Sequence, residues 1–332
     1  MSNKVLSVSI AAYNVDKYLT KTLDSLIGEE ETLESIEIIV VNDGSTDTTI
    51  QLAEKYQNRF PDSIIVIDKT NGGYGSTINS SLNVATGKYF KLLDGDDWFT
   101  ENICSFIKSL EDTEADLVIT PYYQYTNELV LVDNHSETPE TMVPIANTSI
   151  GDLLFAMHEL AIRTNTLKDY YTPISEHTFY TDTEFVFNCI RAAKTVIRIN
   201  TPVYCYRLGL EGQSVSLTGL RKHFRDFKTV AKKIYSGYEE IYKSENGKKK
   251  EILEYIVRTI TYNTYKSYML LENPMEYKDE LMEFDKEIKC EYPVSYAIGN
   301  SSKSINILRK SRFLLYNPIC KYEKNKFNCE NR

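Results

Sequence analysis

The stretch Leu92-Leu93-Asp94-Gly95-Asp96-Asp97-Trp98 places three carboxylates within four positions, directly after an apolar run. Like charges this close repel one another, and each carboxylate resists losing its water. A divalent cation with oxygen ligands would neutralise the cluster, and Mg²⁺ or Mn²⁺ would hold a substrate phosphate at the same time. The other interpretation is a solvated acidic turn after a strand, since short acidic runs are common on protein surfaces.

The chain before this stretch alternates short apolar runs with amphipathic helical patterns. The runs at residues 5–12, 36–41, 64–67 and 89–93 are predicted to be buried strands. Strands that alternate with helices through short loops are typical of a parallel sheet with helices on both faces. The sequence therefore predicts a Rossmann-like, mostly parallel α/β sheet.

The four predicted strands all end in polar or glycine-bearing segments. These ends are Tyr13-Asn14, Asn42-Asp43-Gly44, Asn71-Gly72-Gly73 and Asp94-Gly95-Asp96. In open parallel sheets, ligands bind beyond the carboxyl ends of the strands. Because four such ends can meet at one crevice, a binding site is favoured over a solvated acidic turn.

Beyond the fourth strand the pattern is less regular. We predict a strand over residues 116–123, a helix over residues 149–158 and a helix that begins near Asp182. The segment 207–216 contains two glycines and is predicted to be a loop able to move. From about residue 220 the composition turns to helical patterns rich in Lys, Tyr and Glu, so we place a domain boundary there.

Bulk composition narrows the class of protein. The 332 residues are 42% hydrophobic and 26% charged, which is ordinary for a soluble globular protein. The formal net charge of -9 argues against nucleic acid as a partner. Six cysteines without metal-binding spacing, an N-terminus without a signal-peptide pattern and the lack of a membrane-spanning apolar run lead us to expect a cytoplasmic protein.

Four motifs carry a family resemblance. Ala12-Tyr13-Asn14 ends the first strand, and Asn42-Asp43-Gly44-Ser45-Thr46-Asp47 ends the second. Asp94-Gly95-Asp96 forms a DxD motif, and Thr181-Asp182 precedes a helix. Together they resemble the family 2 glycosyltransferases, inverting enzymes of the GT-A fold. The resemblance covers roughly residues 5–220.

The resemblance implies a fold and an activity. It implies a GT-A domain over residues 1–220, with a nucleotide-sugar-binding half (1–120) and an acceptor-binding half (121–220). A helical C-terminal region with a basic tail follows over residues 221–332. The implied activity is metal-dependent, inverting transfer of a sugar from a nucleotide sugar, with UDP as the expected nucleotide. The implied acceptor is a glycan, a glycoprotein or a lipid-linked glycan in bacterial surface polysaccharide or glycoprotein assembly.

The resemblance also implies roles for individual residues. Asp96, supported by Asp94 or Asp97, would hold Mn²⁺ or Mg²⁺ against the diphosphate of the donor. Asp43 would accept the N3–H group of uracil. Asp182 would take the proton of the attacking acceptor hydroxyl as general base. The residues expected to bind the nucleotide sugar are Ala11, Tyr13, Asn14, Asp43, Lys69, Gly73, Gly75, Ser76, Asp94, Gly95, Asp96 and Arg207. Weaker candidates for the acceptor pocket are Trp98, Glu176 and His177.

Several of these residues have a second interpretation. The glycine run 72–75 can be a tight turn and helix cap instead of a close approach to the nucleotide. Arg207 can pair with the diphosphate when its loop closes, or form an ordinary surface salt bridge. His158, His177 and His223 are expected to be structural, as isolated histidines usually are.

Three departures from the family pattern bear on these roles. Asn42 replaces the first acidic residue of the second motif, while Asp43 is retained. Thr181 replaces the glutamate beside the proposed base. Thr77-Ile78-Asn79 stands in place of an Ala-Arg-Asn triplet, so the contact of the missing arginine must come from elsewhere, with Lys69 as a candidate.

The last thirty residues form a basic tail on an acidic chain. From residue 303 onward the sequence contains eight Lys and Arg residues, and its acidic residues are Glu323 and Glu330. A basic amphipathic segment of this kind could make peripheral contact with anionic lipid, which would suit a lipid-linked acceptor. The other interpretation is a basic helix packed on the acidic body. The apolar residues that could rest on lipid are Ile305, Leu308, Phe313, Leu314 and Ile319.

Two alternative functions stay open at this point. A catalytically silent protein could bind nucleotide or glycan and stabilise another transferase, but the joint presence of Asp94, Asp96 and Asp182 argues against it. A sugar-nucleotide-forming nucleotidyltransferase would need a basic, glycine-rich phosphate loop near the N-terminus. Ala11-Ala12-Tyr13-Asn14 is not such a loop.

Overall fold

A computed structural model describes residues 4–27, 30–149, 154–210 and 216–330. The chain divides into two units. The first comprises Met1–His177, Phe185–Leu210 and Gly247–Lys249, and the second comprises Thr178–Glu184, Glu211–Asn246 and Lys250–Arg332. The domain limits derived from the sequence, with a boundary near residue 220, stay a prediction.

Twelve strands lie in the described part of the chain. In chain order they are β1 Leu6–Ala12, β2 Ile36–Asp43, β3 Ile64–Lys69, β4 Tyr89–Asp94, β5 Trp98–Phe99, β6 Leu117–Ile119, β7 Tyr122–Tyr125, β8 Leu129–Val132, β9 Val143–Pro144, β10 Leu160–Arg163, β11 Thr195–Arg198 and β12 Tyr204–Arg207. Eight of them form one sheet in the order β3-β2-β1-β4-β10-β6-β11-β9, and four form a second sheet in the order β5-β12-β7-β8.

The first four strands run parallel, as the sequence predicts. β1 pairs in parallel with β2 and β4, and β2 pairs in parallel with β3. β10 is antiparallel to both β4 and β6, whereas β11 is parallel to β6. All eight residues of β2 are buried, which explains why residues 38–41 are an uninterrupted apolar run that does not alternate with polar residues. The prediction of a mostly parallel α/β sheet is confirmed.

Helices connect and cover these strands. In chain order they are α1 Asp16–Asp24, α2 Glu30–Ser35, α3 Thr49–Arg59, α4 Tyr74–Val84, α5 Ile103–Asp112, α6 Thr164–Tyr170 and α7 Asp182–Ala192. α4 packs on β1 and β2, and α3 packs on β2, β3 and α1. The parallel order therefore brings the ends of β1, β2, β3 and β4 to one edge of the sheet.

Two local predictions are wrong. The helix expected over residues 149–158 is absent from its described part, where 154–156 are irregular and Met157–Glu159 form a single 3₁₀ turn. Glu159 closes that turn by accepting a hydrogen bond from the amide of Ala156. The strand expected over residues 116–123 is divided between the two sheets as β6 and β7. Pro121 lies between them and lacks the N–H group that a continuous ladder needs.

The second unit is helical, as predicted for the C-terminal region. Its helices are α8 Leu217–Lys222, α9 Asp226–Ile241, most of α10 Gly247–Met269, α11 Lys278–Glu291, α12 Pro293–Gly299, α13 Lys303–Lys310 and α14 Tyr316–Glu330. Tyrosine rings fill much of its core, among them Tyr235, Tyr265 and Tyr316. Within the described residues, no helix combines the length and apolarity needed to cross a membrane.

The apolar residues of the basic tail divide between core and surface. Ile305 and Leu308 are fully buried, and Phe313 and Ile319 are 4% and 9% exposed. Leu314 is 81% exposed. The interpretation in which all five rest on lipid is therefore wrong for four of them: Ile305, Leu308 and Ile319 are buried residues of α13 and α14, and Phe313 is buried in the turn between these helices.

Candidate active site

The acidic stretch begins at the end of β4, next to the end of β1. Asp94 is paired with Ala11 in the parallel ladder, and the amide of Gly95 donates to the Ala11 carbonyl at 3.1 Å. A Cβ atom at Gly95 would lie 2.7 Å from that carbonyl oxygen and 3.0 Å from Val15 Cγ2. The glycine between the two aspartates is therefore needed so that the stretch can turn closely against β1.

Asp97 is held inside the protein. Its Oδ2 accepts from the Tyr204 hydroxyl at 2.6 Å, and its Oδ1 accepts from the Arg207 amide at 2.7 Å. The side chain is almost fully buried. Burial, together with the neighbouring charges of Asp94 and Asp96, raises the pKa of Asp97 to about 9. The third carboxylate of the stretch thus anchors β12 to the acidic turn.

Asp96 and Arg207 are half-buried at the same turn. Arg207 Nε donates to the backbone carbonyl of Asp96 at 2.8 Å. The side chain of Asp96 is half-buried, and desolvation raises its pKa while the charge of Arg207 acts in the opposite direction. Arg207 is therefore already part of the turn in this structure, although the sequence alone left open a surface salt bridge.

Trp98 lies between cations of the protein itself. Lys21 Nζ lies 3.2 Å from the centre of the Trp98 ring, and the Arg207 guanidinium lies 4.8 Å from it. The indole is 9% exposed and meets Tyr125 edge to face. Cation–π contacts of this kind stabilise the turn after the acidic stretch. In this arrangement the ring has little free surface for an acceptor, so that weak assignment stays a prediction without structural support.

His158 joins the acidic stretch from the segment before β10. One ring nitrogen of His158 and one oxygen each of Asp94 and Asp97 lie within 4.8 Å of one another. His158 is 9% exposed, and neither of its ring nitrogens has a hydrogen-bond partner. Burial, with the charge of Lys91, lowers the pKa of His158 to about 3, so the imidazole is neutral and able to bind a metal. Two carboxylates and an imidazole form a suitable donor set for a divalent cation.

The surroundings of His158 are aromatic and cationic. Its ring stacks on Tyr206 with 4.2 Å between ring centres and meets Tyr204 edge to face at 4.6 Å. The ammonium of Lys91 donates to the carbonyls of His158 and Leu160. Lys91 is fully buried, and desolvation lowers its pKa to about 7. These contacts hold His158 in one orientation behind the acidic stretch.

Asp43 ends β2 and holds the loop that follows β3. Its Oδ1 accepts from the Gly72 amide at 2.9 Å and from Lys69 Nζ at 2.8 Å, while Oδ2 accepts from the Gly73 amide at 2.8 Å. Ser76 Oγ also donates to Oδ1 at 3.2 Å. Because Asp43 is 2% exposed, its carboxylate shapes the glycine loop in this structure. Lys69 is likewise engaged in the loop.

The first and second strand ends are tied together. Asn14 takes a left-handed backbone conformation (φ 53°) and its side-chain oxygen accepts from the Thr46 amide at 2.8 Å. The Asn14 amide donates to Ser45 Oγ at 3.0 Å. Tyr13 lies in the chain between β1 and Asn14. It is 52% exposed and presents its ring to solvent. A ring so placed is available to stack on a planar ligand.

The glycine loop is covered by residues 174–177. The His177 amide donates to the Gly72 carbonyl at 2.5 Å, and Glu176 Oε1 accepts from Asn79 at 3.2 Å. A Cβ atom at Gly75 would lie 2.1 Å from the Ser175 carbonyl oxygen. Gly75 is thus required by a close backbone contact within the protein. Glu176 and His177 are exposed at the rim of this loop.

Asp182 belongs to the second unit, within Thr178–Glu184. It is the first residue of α7, and its side chain is exposed. Desolvation by the surrounding protein raises the pKa of Asp182, while backbone amide donors at the start of the helix act in the opposite direction. Residues 211–215 of the predicted mobile loop lie outside the described residues.

The structure thus joins several predicted residues and adds others. Within the first unit Asp94, Asp96, Asp97 and Arg207 form one cluster. Asp43, Lys69, Gly73, Gly75 and Ser76 form the neighbouring loop. The sequence did not single out Tyr204 or Lys91, and His158 was expected to be structural. No local motif marks these residues, because their role depends on strands that meet only in the folded sheet.

Known proteins resemble this chain at the level of sequence. The profile described as "Glycosyl transferase family 2" matches residues 7–155. Glycosyltransferase GlyA of Streptococcus pneumoniae is 34% identical over 121 residues, which are 36% of this chain and 17% of GlyA. Putative glycosyltransferase EpsH of Bacillus subtilis is 36% identical over 125 residues, 37% of this chain and 35% of EpsH. The chain thus aligns with only about a sixth of one relative and a third of the other.

A solved structure resembles the fold over most of the chain. S. aureus TarS 1–349, crystallised in complex with UDP-GlcNAc, superposes with a TM-score of 0.65 at 19% identity, covering 92% of each chain. This likeness confirms the expectation of a GT-A fold followed by a helical region.

Proposed function

The chain belongs to glycosyl transferase family 2 through residues 7–155, and from that premise we propose that it transfers a sugar from a nucleotide sugar to a glycan or lipid-linked glycan. The observation that carries the proposal is the cluster at the carboxyl ends of β1 and β4. There Asp94, Asp96 and Asp97 lie beside Arg207, and the exposed Tyr13 follows two residues after Ala11, which pairs with Asp94. Carboxylates, a cation and an exposed aromatic ring are the groups that a metal-bound diphosphate and a base require.

UDP is the proposed nucleotide of the donor. The support is that TarS, which shares the fold, was crystallised with UDP-GlcNAc. In this chain Tyr13 is proposed to stack on the base, since its ring is more than half exposed. Asp43 is proposed to act on the nucleotide through the loop 69–76 that it holds. A direct hydrogen bond from the N3–H group of uracil to the Asp43 carboxylate is implied by the family resemblance and stays a prediction.

A divalent cation is part of the proposal. Asp94, Asp97 and His158 fit such a cation, because their donor atoms lie within 4.8 Å and the imidazole nitrogens have no other hydrogen-bond partner. Asp96, half-buried on the same turn, is proposed to supply a further carboxylate to this set. An imidazole beside carboxylates favours Mn²⁺ over Mg²⁺, which prefers oxygen ligands. When bound, the cation would neutralise the leaving diphosphate.

The protein's own residues have separate tasks in the proposed reaction. Arg207, held by Asp96 and Asp97, is proposed to pair with the diphosphate as the bond to the sugar breaks. Asp182 is proposed to remove the proton from the attacking hydroxyl, and a single in-line attack would invert the anomeric centre. Glu176 and His177 are proposed to contact the acceptor, since both are exposed at the rim of the glycine loop.

A donor screen tests the proposal. The purified chain is incubated with Mn²⁺ or Mg²⁺ and with each common UDP-, GDP- and dTDP-sugar, and the released nucleoside diphosphate is measured. We expect slow hydrolysis of one UDP-sugar that needs the metal and is lost in Asp96→Ala. Asp182→Asn should retain UDP binding and lose transfer once an acceptor is found; full transfer activity in that variant would exclude Asp182 as the base.

The alternative of a silent binding partner has a distinct outcome. Such a protein would bind UDP and metal in calorimetry without releasing nucleotide from any donor, with or without a glycan acceptor. Failure to bind UDP, GDP or dTDP in the presence of Mn²⁺ would contradict both readings. The nucleotidyltransferase alternative has no structural support, since the loop after β1 is Tyr13-Asn14 and carries no basic residue.

A further inference from the structure

The outer face of α13 and the turn after it form a surface of basic and apolar side chains. On α13, Lys303, Ile307 and Lys310 are spaced by four and three residues and so share one face of the helix. Ile305 and Leu308, on the opposite face, are fully buried. We call the exposed set the basic–apolar ridge. Its members are Lys303, Ile307, Lys310, Arg312, Leu314 and Leu315.

The turn after α13 directs two leucines outward. Arg312 and Phe313 both take left-handed backbone conformations, with φ of 49° and 62°. The Phe313 amide donates to the Leu308 carbonyl at 2.8 Å, and the Phe313 ring is buried. This anchor leaves Leu314 81% exposed and Leu315 45% exposed, while Ile307 on the helix is 48% exposed. Leu314 is thus a large apolar side chain in water, held outward by a well-anchored turn.

The ridge carries positive charge without exposed carboxylates of its own segment. Between residues 303 and 329 the single acidic residue is Glu323, which is 1% exposed and accepts from Tyr262 and Ser304. Lys303, Lys310 and Arg312 are exposed. Arg309, by contrast, points inward and pairs with Asp285 at 2.7 Å. The outward cations are therefore available to an anionic surface.

We propose that the basic–apolar ridge binds the surface of an anionic phospholipid membrane. Leu314 and Leu315 would enter the boundary between headgroups and acyl chains, while Lys303, Lys310 and Arg312 would contact lipid phosphates. Complementary charge and outward leucines in one short segment favour a lipid surface over an acidic protein, which would pair with the cations but leave Leu314 in water. This property is separate from the proposed sugar transfer and does not depend on it.

Co-sedimentation with vesicles tests the proposal on the full chain. Vesicles of phosphatidylcholine with 30% phosphatidylglycerol are compared with pure phosphatidylcholine at low salt. We expect the chain to bind the anionic vesicles and to lose at least fivefold in bound fraction at about 0.5 M salt, because screening shortens the reach of surface charges. Equal binding to both vesicles, or no binding to either, would overturn the proposal.

Two variants and a matched control separate the leucines from the charges. Leu314→Ser with Leu315→Ser should reduce binding to anionic vesicles at least fivefold, and Lys310→Gln with Arg312→Gln should do the same. Leu131→Ser removes a leucine that is 52% exposed on β8 and should bind as the unchanged chain does. Donor hydrolysis and Tm should be unaffected in all three.

Sedimentation velocity without lipid tests whether the ridge binds a second copy of the chain instead of a membrane. A mass that falls from dimer to monomer in the leucine variant would assign the ridge to self-association and overturn the lipid proposal. An unchanged mass, together with lost vesicle binding, would support it.

Discussion

Burial of the Asp97 carboxylate beside Asp94 and Asp96 lowers the stability of the folded protein. Its folded-state pKa of about 9 lies above the value of about 3.9 expected in an unfolded chain. Between these pH values the folded protein binds one proton more than the unfolded chain does. The free energy of unfolding therefore falls as pH rises from about 4 to 9. A cluster that a cation would neutralise is thus destabilising without one.

The first prediction replaces Asp97 by asparagine. Asp97→Asn removes the charge but keeps the shape and can still bond Tyr204 and the Arg207 amide. We expect the metal-free variant to have a Tm about 2–4 °C higher than the unchanged chain at pH 8, with the difference vanishing near pH 4. Binding of Mn²⁺ in calorimetry should weaken at least tenfold. Asp62→Asn, at an exposed carboxylate, serves as control; a Tm at pH 8 equal to that of the control would mean that Asp97 is ionised.

The second prediction contrasts two glycines. Gly75→Ala would bring a Cβ atom to 2.1 Å from the Ser175 carbonyl oxygen, a backbone atom that cannot move aside cheaply. We expect a loss of about 2–3 kcal/mol in the free energy of unfolding, measured in urea. Gly209→Ala has open space but a φ of +84°, so it should cost only about 1 kcal/mol. Equal losses would mean that the loop 174–177 does not pack on Gly75 as described.

At the scale of elements, the segment before α7 is held by aromatic stacking within the second unit. Phe179 stacks on His223 with 3.5 Å between ring centres, and Tyr180 stacks on Phe227 with 3.9 Å. The Phe179 amide donates to Asp226, which also pairs with His223. Asp182 follows two residues after Tyr180, so these contacts determine where the helix that carries it begins.

The third prediction tests this stacking as a positioning device. Tyr180→Leu removes the ring that stacks on Phe227, whereas Tyr180→Phe keeps it. If Asp182 is the base, Tyr180→Leu should lower kcat about tenfold and leave the donor KM within twofold, while Tyr180→Phe should be close to the unchanged chain. A higher donor KM with unchanged kcat would contradict the positioning role. Equal effects in both variants would mean that the hydroxyl of Tyr180, and not its ring, is responsible.

At the scale of the whole molecule, ligands should act on stability through the acidic stretch. A ligand at one hundred times its Kd stabilises the folded state by about 2.7 kcal/mol, which for a chain of this size raises Tm by several degrees. The fourth prediction is that UDP and Mn²⁺ together raise Tm by more than the sum of their separate effects. The cation would neutralise the diphosphate of UDP, and the diphosphate would supply further oxygen ligands to the cation. Binding of one ligand therefore favours binding of the other, which is positive coupling.

The measurement is a thermal scan with UDP alone, Mn²⁺ alone and both together. Asp96→Ala should abolish the joint increase, since its carboxylate is proposed to hold the cation against the diphosphate. Additive shifts would show that the two ligands bind independently, and this would contradict a cation that bridges the protein and the diphosphate.

The sequence by itself determined the parallel strands, the ends at which ligand-binding groups collect and the helical character of the C-terminal region. These features depend on local patterns: apolar runs, glycines at strand ends and helical spacing. Asp94, Asp96 and Asp97 could be singled out because they are consecutive or nearly so. The division of residues 116–125 between two sheets could not, since a strand pattern does not specify its partners.

Only the tertiary structure decided which distant side chains complete the acidic cluster. Tyr204 bonds Asp97 across 107 positions of sequence, and His158 comes beside Asp94 and Asp97 from a 3₁₀ turn that was predicted as helix. It also decided that, of Ile305, Leu308, Phe313, Leu314 and Ile319, only Leu314 is exposed. The physical reason is the same in each case: composition and spacing indicate that a residue needs burial or a partner, while the packing of the folded chain determines which partner it finds.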